Sequence, residues 1–297
     1  MSETMGTPTA KSLILDLLST LRGHSMPVRT LVAAARLFAI EENNLRVSLA
    51  RLCAAGVIER DERGLYRLGV PATAVEQQIT SWRRLEERVC DWHGGWIAVH
   101  GGPPTRGAAG RRSAQALRFI GFRALEPGLM LRPDNLAGGV TGVRDELRAL
   151  GLDPHAAVLG LRDLDADRER RARGLWNTGR LLAGYQKARA DLRASQVRLA
   201  TLTPDDAMIE SFLLGGSVLR ELALDPLLPE SILPAETRNE LVAAMREYDR
   251  IGRAAWAGLM RTRPPGRDIA HLQAPADLRV GQAESRFHNF SSPGVPA

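Results

Sequence analysis

Residues 42–69 read ENNLRVSLARLCAAGVIERDERGLYRLG. Leu45, Leu49 and Leu52 recur at i, i+4 and i+7, the spacing of one helical face. They predict a helix from about Glu42 to Ala55. Gly56 fits its stop, because glycine enters the left-handed region at little cost. Val57–Arg60 and Leu65–Leu68 are short apolar segments flanking Asp61-Glu62-Arg63-Gly64, which is a hairpin signal. Upstream, Leu13, Ile14, Leu17, Leu18 and Leu21 line one stripe of residues 12–22, with Gly23 as its stop. A second helix is expected from Met26-Pro27, since proline is tolerated in a first turn. It buries Val28, Leu31, Val32 and Ala35, and breaks at Ala39-Ile40-Glu41. Three helices followed by a hairpin describe a winged helix-turn-helix over residues 10–70. The second and third helices have the short-turn spacing of a DNA-reading pair.

The leucine seam of the third helix turns inward, so Asn43, Asn44, Arg46, Val47, Ala50 and Arg51 are expected on its other faces. Asparagine can read adenine bidentately, and arginine can read guanine or hold phosphate. Small Val47 and Ala50 permit close approach to a groove. Ser48 is a candidate phosphate contact, with a core-facing position as the alternative. Arg63 at the hairpin tip, and Arg60 or Arg67 on its strands, are placed to reach backbone phosphates. The expected DNA-binding residues are therefore Asn43, Asn44, Arg46, Ser48, Arg51 and Arg63. Glu41, Glu42, Asp61 and Glu62 weaken the electrostatic signal.

The whole chain has 297 residues, 40 Lys+Arg against 34 Asp+Glu, and a net charge of +6. That length points to more than one domain. No apolar run approaches the ~20 residues that a membrane span needs. The opening MSETMGTPTAKS lacks a basic region followed by an apolar one, so a soluble cytoplasmic protein is the default expectation. Only Lys11 and Lys187 are lysines; every other basic residue is arginine, a fork-shaped donor suited to phosphate and carboxylate. The basic excess is concentrated in residues 166–198, ADRERRARGLWNTGRLLAGYQKARADLRASQVR. Leu175, Trp176, Leu181, Leu182 and Tyr185 predict a helix there, with either a solvated basic face or a contact for an acidic ligand or DNA.

Between these segments, Trp96–His100, Leu129–Leu131 and Ala156–Leu161 read as strands, and Arg111–Phe122 and Glu146–Leu152 as helices. Their order is compatible with a ferredoxin-like fold. GGPPTRGAAG, between the first strand and helix, reads as a loop. Residues 204–223 and 236–260 carry helical periodicity, separated by the prolines at 226, 229 and 234. The tail from Pro264 has no clear period and is expected to be disordered.

The stretch NNLRVSLARLCAAGVIERDERGLYRLG resembles the recognition helix and wing of the PaaX family of transcriptional regulators. The likeness continues in DWHGGWIAVH, RRSAQALRFIGFRALEPGLMLRPDN, GLWNTGRLLAGYQKARADL and LLGGSVLRELALDPLLPESILP. The resemblance is colinear over roughly residues 10–260. It implies an α+β chain: a winged helix over 10–70, and a linker helix with a ferredoxin-like (Cas2-like) domain over 71–165. A helical carboxy-terminal domain over 166–263 and a tail over 264–297 complete it. It further implies a homodimer on a palindromic double-stranded operator, acting as a repressor of aromatic-acid (phenylacetate) catabolism. An aryl-CoA thioester such as phenylacetyl-CoA would release it. CoA phosphates could meet the arginines of 166–198, and Trp92, Trp96 and Trp176 could stack on a ring, core packing being the alternative. An activator, or a regulator of another pathway with a different effector, fits the residues equally.

No catalytic site and no metal site are expected. Asp163, Asp165 and Asp167 imitate the start of a calcium loop, but Arg168 replaces its glycine and Gly174 its bidentate glutamate. His100-Gly101-Gly102 resembles an esterase loop, with no G-x-S-x-G elbow beside it. The six histidines lack ligand spacing, and Cys53 is most simply a small core residue. A Cas2-like nuclease would need an acidic ligand just after the first strand, and Val99-His100-Gly101-Gly102 provides none. No cofactor is expected beyond the effector.

Overall fold

Proline 27 decides where the second helix starts. Its backbone is extended (φ −73°, ψ 145°), so Met26–Pro27 form a short strand, β1, and α2 spans Val28–Leu37. The expected start at Met26-Pro27 is thereby corrected: Met26 pairs with Tyr66 instead of joining the helix. This computed structural model describes residues 7–19, 25–61, 64–69, 82, 85–101 and 107–261. Gly23, Arg63, residues 71–81 at the start of the expected linker-helix and ferredoxin-like segment 71–165, and the tail from 264 lie outside them.

The described chain is mixed helix and antiparallel sheet, an α+β protein, and divides into two compact units. The first takes in residues 1–80, 188–220 and 242–297; the second takes in 81–187 and 221–241. Chain order thus does not coincide with spatial grouping, since the carboxy-terminal helices contribute to both units.

In the first unit α1 (Ala10–Ser19), α2 and α3 (Glu42–Ala54) pack around one core, followed by β2 (Ile58–Arg60) and β3 (Leu65–Leu68). The sheet order is β1-β3-β2, all antiparallel. Leu45, Leu49 and Leu52 are the buried residues of α3, as their spacing predicts. Gly56 sits at φ +67°, where the Val57 amide donates to the Leu52 carbonyl (3.0 Å) and closes the helix. The core is completed from far along the chain. Met208 and Phe212 of α9 (Pro204–Ala223) and Trp256 of α10 (Glu236–Arg261) belong to the same cluster.

The turn between α2 and α3 holds Ala39 at φ +54°. A side chain there crowds its own backbone, at a cost of about 1–2 kcal/mol. Ala39→Gly is expected to raise stability by about 0.5–1 kcal/mol, after allowing for glycine's freer unfolded state. A thermal melt checks this; an unchanged or lower Tm would show that the turn is unstrained.

The second unit runs α4 (Leu85–Arg88), β4 (Trp96–His100), α5 (Gly107–Phe119), β5 (Arg123–Glu126), β6 (Leu129–Pro133), α6 (Gly139–Ala149) and β7 (Ala157–Leu161). The sheet order is β5-β6-β4-β7, antiparallel throughout. Trp96, Ile97, Ala98 and Val99 are all buried, which is why this central strand reads as an unbroken apolar run. Strand β5 is absent from the expected elements. It is short and charged, and the Pro127-Gly128 turn before β6 is the signal that reveals it. Helices α5 and α6 begin earlier than the expected 111 and 146. Gly107, Gly110, Gly139 and Gly142 lie inside them, where packing outweighs glycine's poor propensity.

Residues 166–198 form two helices, not the single one expected: α7 (Ala166–Arg173) and α8 (Thr178–Leu199). The Asp165 side chain accepts from the amides of Asp167 and Arg168 and starts α7. The Asn177 side chain accepts from the Arg180 amide (2.9 Å) at the start of α8. Trp176 falls in the break.

Candidate nucleic-acid interface

Burial of one face of α3 determines what its other faces present. With Leu45, Leu49 and Leu52 inward, Asn43, Asn44, Arg46 and Arg51 are exposed, together with Ala50 and Val47, the latter 40% accessible. Ser48 is half-buried beside the seam. Five of the six residues expected from sequence therefore share one helix within residues 43–51, and Arg63 lies outside the described residues. The Arg51 carbonyl accepts from the Ala55 amide (3.0 Å), and its exposed guanidinium has no hydrogen-bond or ion-pair partner among the described residues.

Arg46 is differently placed. Its Nε and Nη2 donate to Glu42 Oε1 at 2.9 and 2.7 Å, one turn earlier. Glu42 Oε2 also faces Arg36 Nη2 at 3.6 Å. The hydrogen bond from Arg46 is the main reason the Glu42 carboxyl titrates below its ordinary range. Arg36 and Glu42 are absent from the expected site residues. The i, i+4 spacing of Glu42 and Arg46 is a sequence-level signal for the pair; Arg36 has none, because it comes from the preceding helix. On the same helix, burial pushes the Cys53 thiol up, in keeping with a small residue packed against the core.

The hairpin holds Arg60 and Arg67 in place. Glu59 and Arg67 are directly opposite each other in the β2–β3 register and form an ion pair at 2.8 Å. Arg60 lies over the ring of its partner Tyr66, 5.8 Å from the centroid. The Asp61 carboxylate accepts from the Leu65 amide at 2.8 Å and shapes the turn.

The basic segment 166–198 offers much less free charge than its composition implies. Arg168 pairs with Asp165 and Glu126, Arg170 with Asp167, and Arg173 with Glu169. Arg171 reaches Glu126 and the Leu125 carbonyl. Trp96 and Trp176 are buried and nearly parallel, 6.4 Å between centroids. Their indole nitrogens donate to Glu169 Oε2 (2.8 Å) and the Gly121 carbonyl (3.1 Å). Trp92 packs edge-on to Trp96, and Arg173 lies over it at 4.7 Å. The tryptophans pack on one another, and the α7 arginines are held mainly by carboxylates.

A second polar cluster is buried in the same unit. Arg132 donates to the carbonyls of Pro133, Ile120 and Pro226 and to Asn135 Oδ1, and burial lowers its pKa to about 9. Asn135 Nδ2 donates to the Leu227 carbonyl at 2.7 Å. Nearby, Asp225 and Arg238 form a buried pair at 3.9 Å. Burial pushes the Asp225 carboxyl up against the pull of Arg238, and Tyr185 is pushed up by burial and by the charge of Asp225. Segments 118–135, 174–185 and 225–238 converge here, although the sequence separates them widely.

Among the described residues no group of three or more His, Cys, Asp or Glu is arranged to hold a metal ion, and no helix is long and apolar enough to cross a membrane. No curated protein matches the chain. The fold is similar to the solved structure titled "Uncharacterized protein Rv0674 from Mycobacterium tuberculosis", with a TM-score of 0.58 and 24% identity. That match covers 85% of this chain and 99% of the other. The family model described as PaaX-like protein matches residues 9–70, the segment that contains α1–α3 and the hairpin. Residues 9–70 of the chain are thus similar to the PaaX-like family.

Proposed function

We propose that the chain is a transcriptional regulator that binds double-stranded DNA through a winged helix-turn-helix made of α1–α3 and β1–β3. In this reading α3 enters the major groove and the hairpin touches the backbone. The observation that carries it is the exposed Asn43, Asn44, Arg46 and Arg51 opposite a buried leucine seam, within the segment that matches the PaaX-like model. The β-α-β-β-α-β order from β4 to β7 supports a central ferredoxin-like domain. The remaining helices would form the third part of the division 10–70, 71–165 and 166–263, with a tail over 264–297.

By the family resemblance, the protein is a cytoplasmic homodimer that represses an aromatic-acid catabolic operon. An aryl-CoA thioester would favour the conformation with the wrong spacing between recognition helices. Selection from random duplex DNA with the full chain tests the DNA reading. Fluorescence anisotropy on the enriched duplex should then show Arg46→Ala and Arg51→Ala each weakening binding by about ten-fold or more, with folding intact. Wild-type affinity in both variants would remove α3 as the reading surface. A thermal-shift series with acyl- and aryl-CoA thioesters tests the effector class, because a ligand of the native state raises its apparent stability. No shift with any thioester would count against that class.

A further inference from the structure

We infer that Glu42 is a specificity-determining residue, positioning Arg46 to read guanine; this rests on the DNA-binding reading above. The geometry of the guanidinium is the argument. Arginine carries five N–H donors in a planar fork. Glu42 Oε1 takes the side-on edge, accepting from Nε at 2.9 Å and Nη2 at 2.7 Å. That leaves the end-on edge, with one N–H from each Nη, which is the pair that meets O6 and N7 of guanine. The other carboxylate oxygen faces Arg36 Nη2 at 3.6 Å, across the turn from the last turn of α2. One carboxylate thus links guanidiniums from both helices and limits how Arg46 can swing.

The charge of Glu42 acts in the same direction. It is 40% exposed on its side chain and sits in the first turn of the helix that would face the duplex. Near phosphates it repels, so a duplex offering only its backbone gains little from Arg46 or Arg36. A duplex with guanine in register engages the free edge without breaking the pair. The carboxylate therefore suppresses binding to arbitrary sequence while preserving readout. The acidic residues that weaken the electrostatic signal of this segment become, at this position, part of its discrimination.

The test uses the full-length chain and its Glu42→Gln variant, which keeps the shape and removes the charge. Wild-type protein first enriches a duplex from a random pool; anisotropy then compares that duplex with a scrambled one over a salt series. In Glu42→Gln the scrambled duplex should bind several-fold more tightly, and the ratio between the duplexes should fall about ten-fold. The slope of log K against log salt for the scrambled duplex should steepen by about one phosphate contact. Arg46→Lys, which keeps charge but lacks the fork, should lose a guanine preference in a repeated selection. An unchanged ratio in Glu42→Gln, with wild type enriching a site, overturns this inference alone. A wild-type chain that enriches no sequence overturns the DNA-binding reading, and the inference with it.

Discussion

Trp256→Ala is expected to destabilise the amino-terminal unit by about 3–5 kcal/mol, the usual cost of truncating a large buried aromatic. Trp256 is 1% exposed, and its indole nitrogen donates to the Met208 carbonyl at 3.2 Å. Its ring lies 5.9 Å from Phe212, which lies 5.0 Å from Phe38 at the end of α2. This aromatic relay joins α10 through α9 to the helix pair proposed to hold DNA. Removing the indole leaves a cavity against both aromatic partners and deletes the donor. Guanidinium unfolding followed by far-UV circular dichroism should show an earlier first transition, accompanied by weaker DNA binding. A loss below about 1 kcal/mol would mean that the core tolerates the missing ring. Deleting α10 should be at least as damaging, so the amino-terminal segment is not expected to be independently stable.

Arg132→Met should be similarly costly, about 3–5 kcal/mol, but because it strands several buried acceptors. The guanidinium is almost fully buried, and oxygens from Ile120, Pro133, Asn135 and Pro226 surround it. Methionine fills much of the volume but leaves several buried acceptors without donors, each at about 1–3 kcal/mol. Lysine should not restore stability, since one ammonium cannot reach acceptors arranged around a planar fork. Gly121 stands at φ +87° against this cluster, where an added Cβ would fall 2.9 Å from Pro226 Cα. The same denaturation experiment, reading the second unit, checks both substitutions. Wild-type stability in Arg132→Met would show that the loop at Pro226 is held by packing rather than by the guanidinium.

Periodicity located α3, the hairpin, α9 and α10 almost to the residue, because each carries an uninterrupted apolar stripe or alternation. It placed Asn43, Asn44, Arg46 and Arg51 away from the core for the same reason. Glycine-rich helix starts at Gly107 and Gly139 escaped it, as did the short charged strand β5. In these segments packing, not propensity, selects the structure. The single helix expected over 166–198 failed at Asn177, whose side chain caps a new start.

Charge was the least legible property. Composition marks residues 166–198 as strongly basic, yet the α7 arginines spend their charge on Asp165, Asp167, Glu169 and Glu126. Glu126 belongs to β5, so no local pattern could reveal that partner. Arg46 appears in sequence as a free reading residue, and the structure shows it held by Glu42, which also faces Arg36.

Local patterning was sufficient for α3, the hairpin, α9 and α10, for the inward seam of α3 and for the exposure of Asn43, Asn44, Arg46 and Arg51, because those follow from spacings of three, four or two along the chain. Tertiary structure alone decided that Met208, Phe212 and Trp256 complete the amino-terminal core, and that Arg132 and Asn135 meet Pro226 and Leu227. It also decided that the carboxy-terminal helices divide between two units. The physical reason is the same in each case: burial energy and hydrogen-bond satisfaction depend on which surfaces meet, and those surfaces lie up to some two hundred residues apart in the chain.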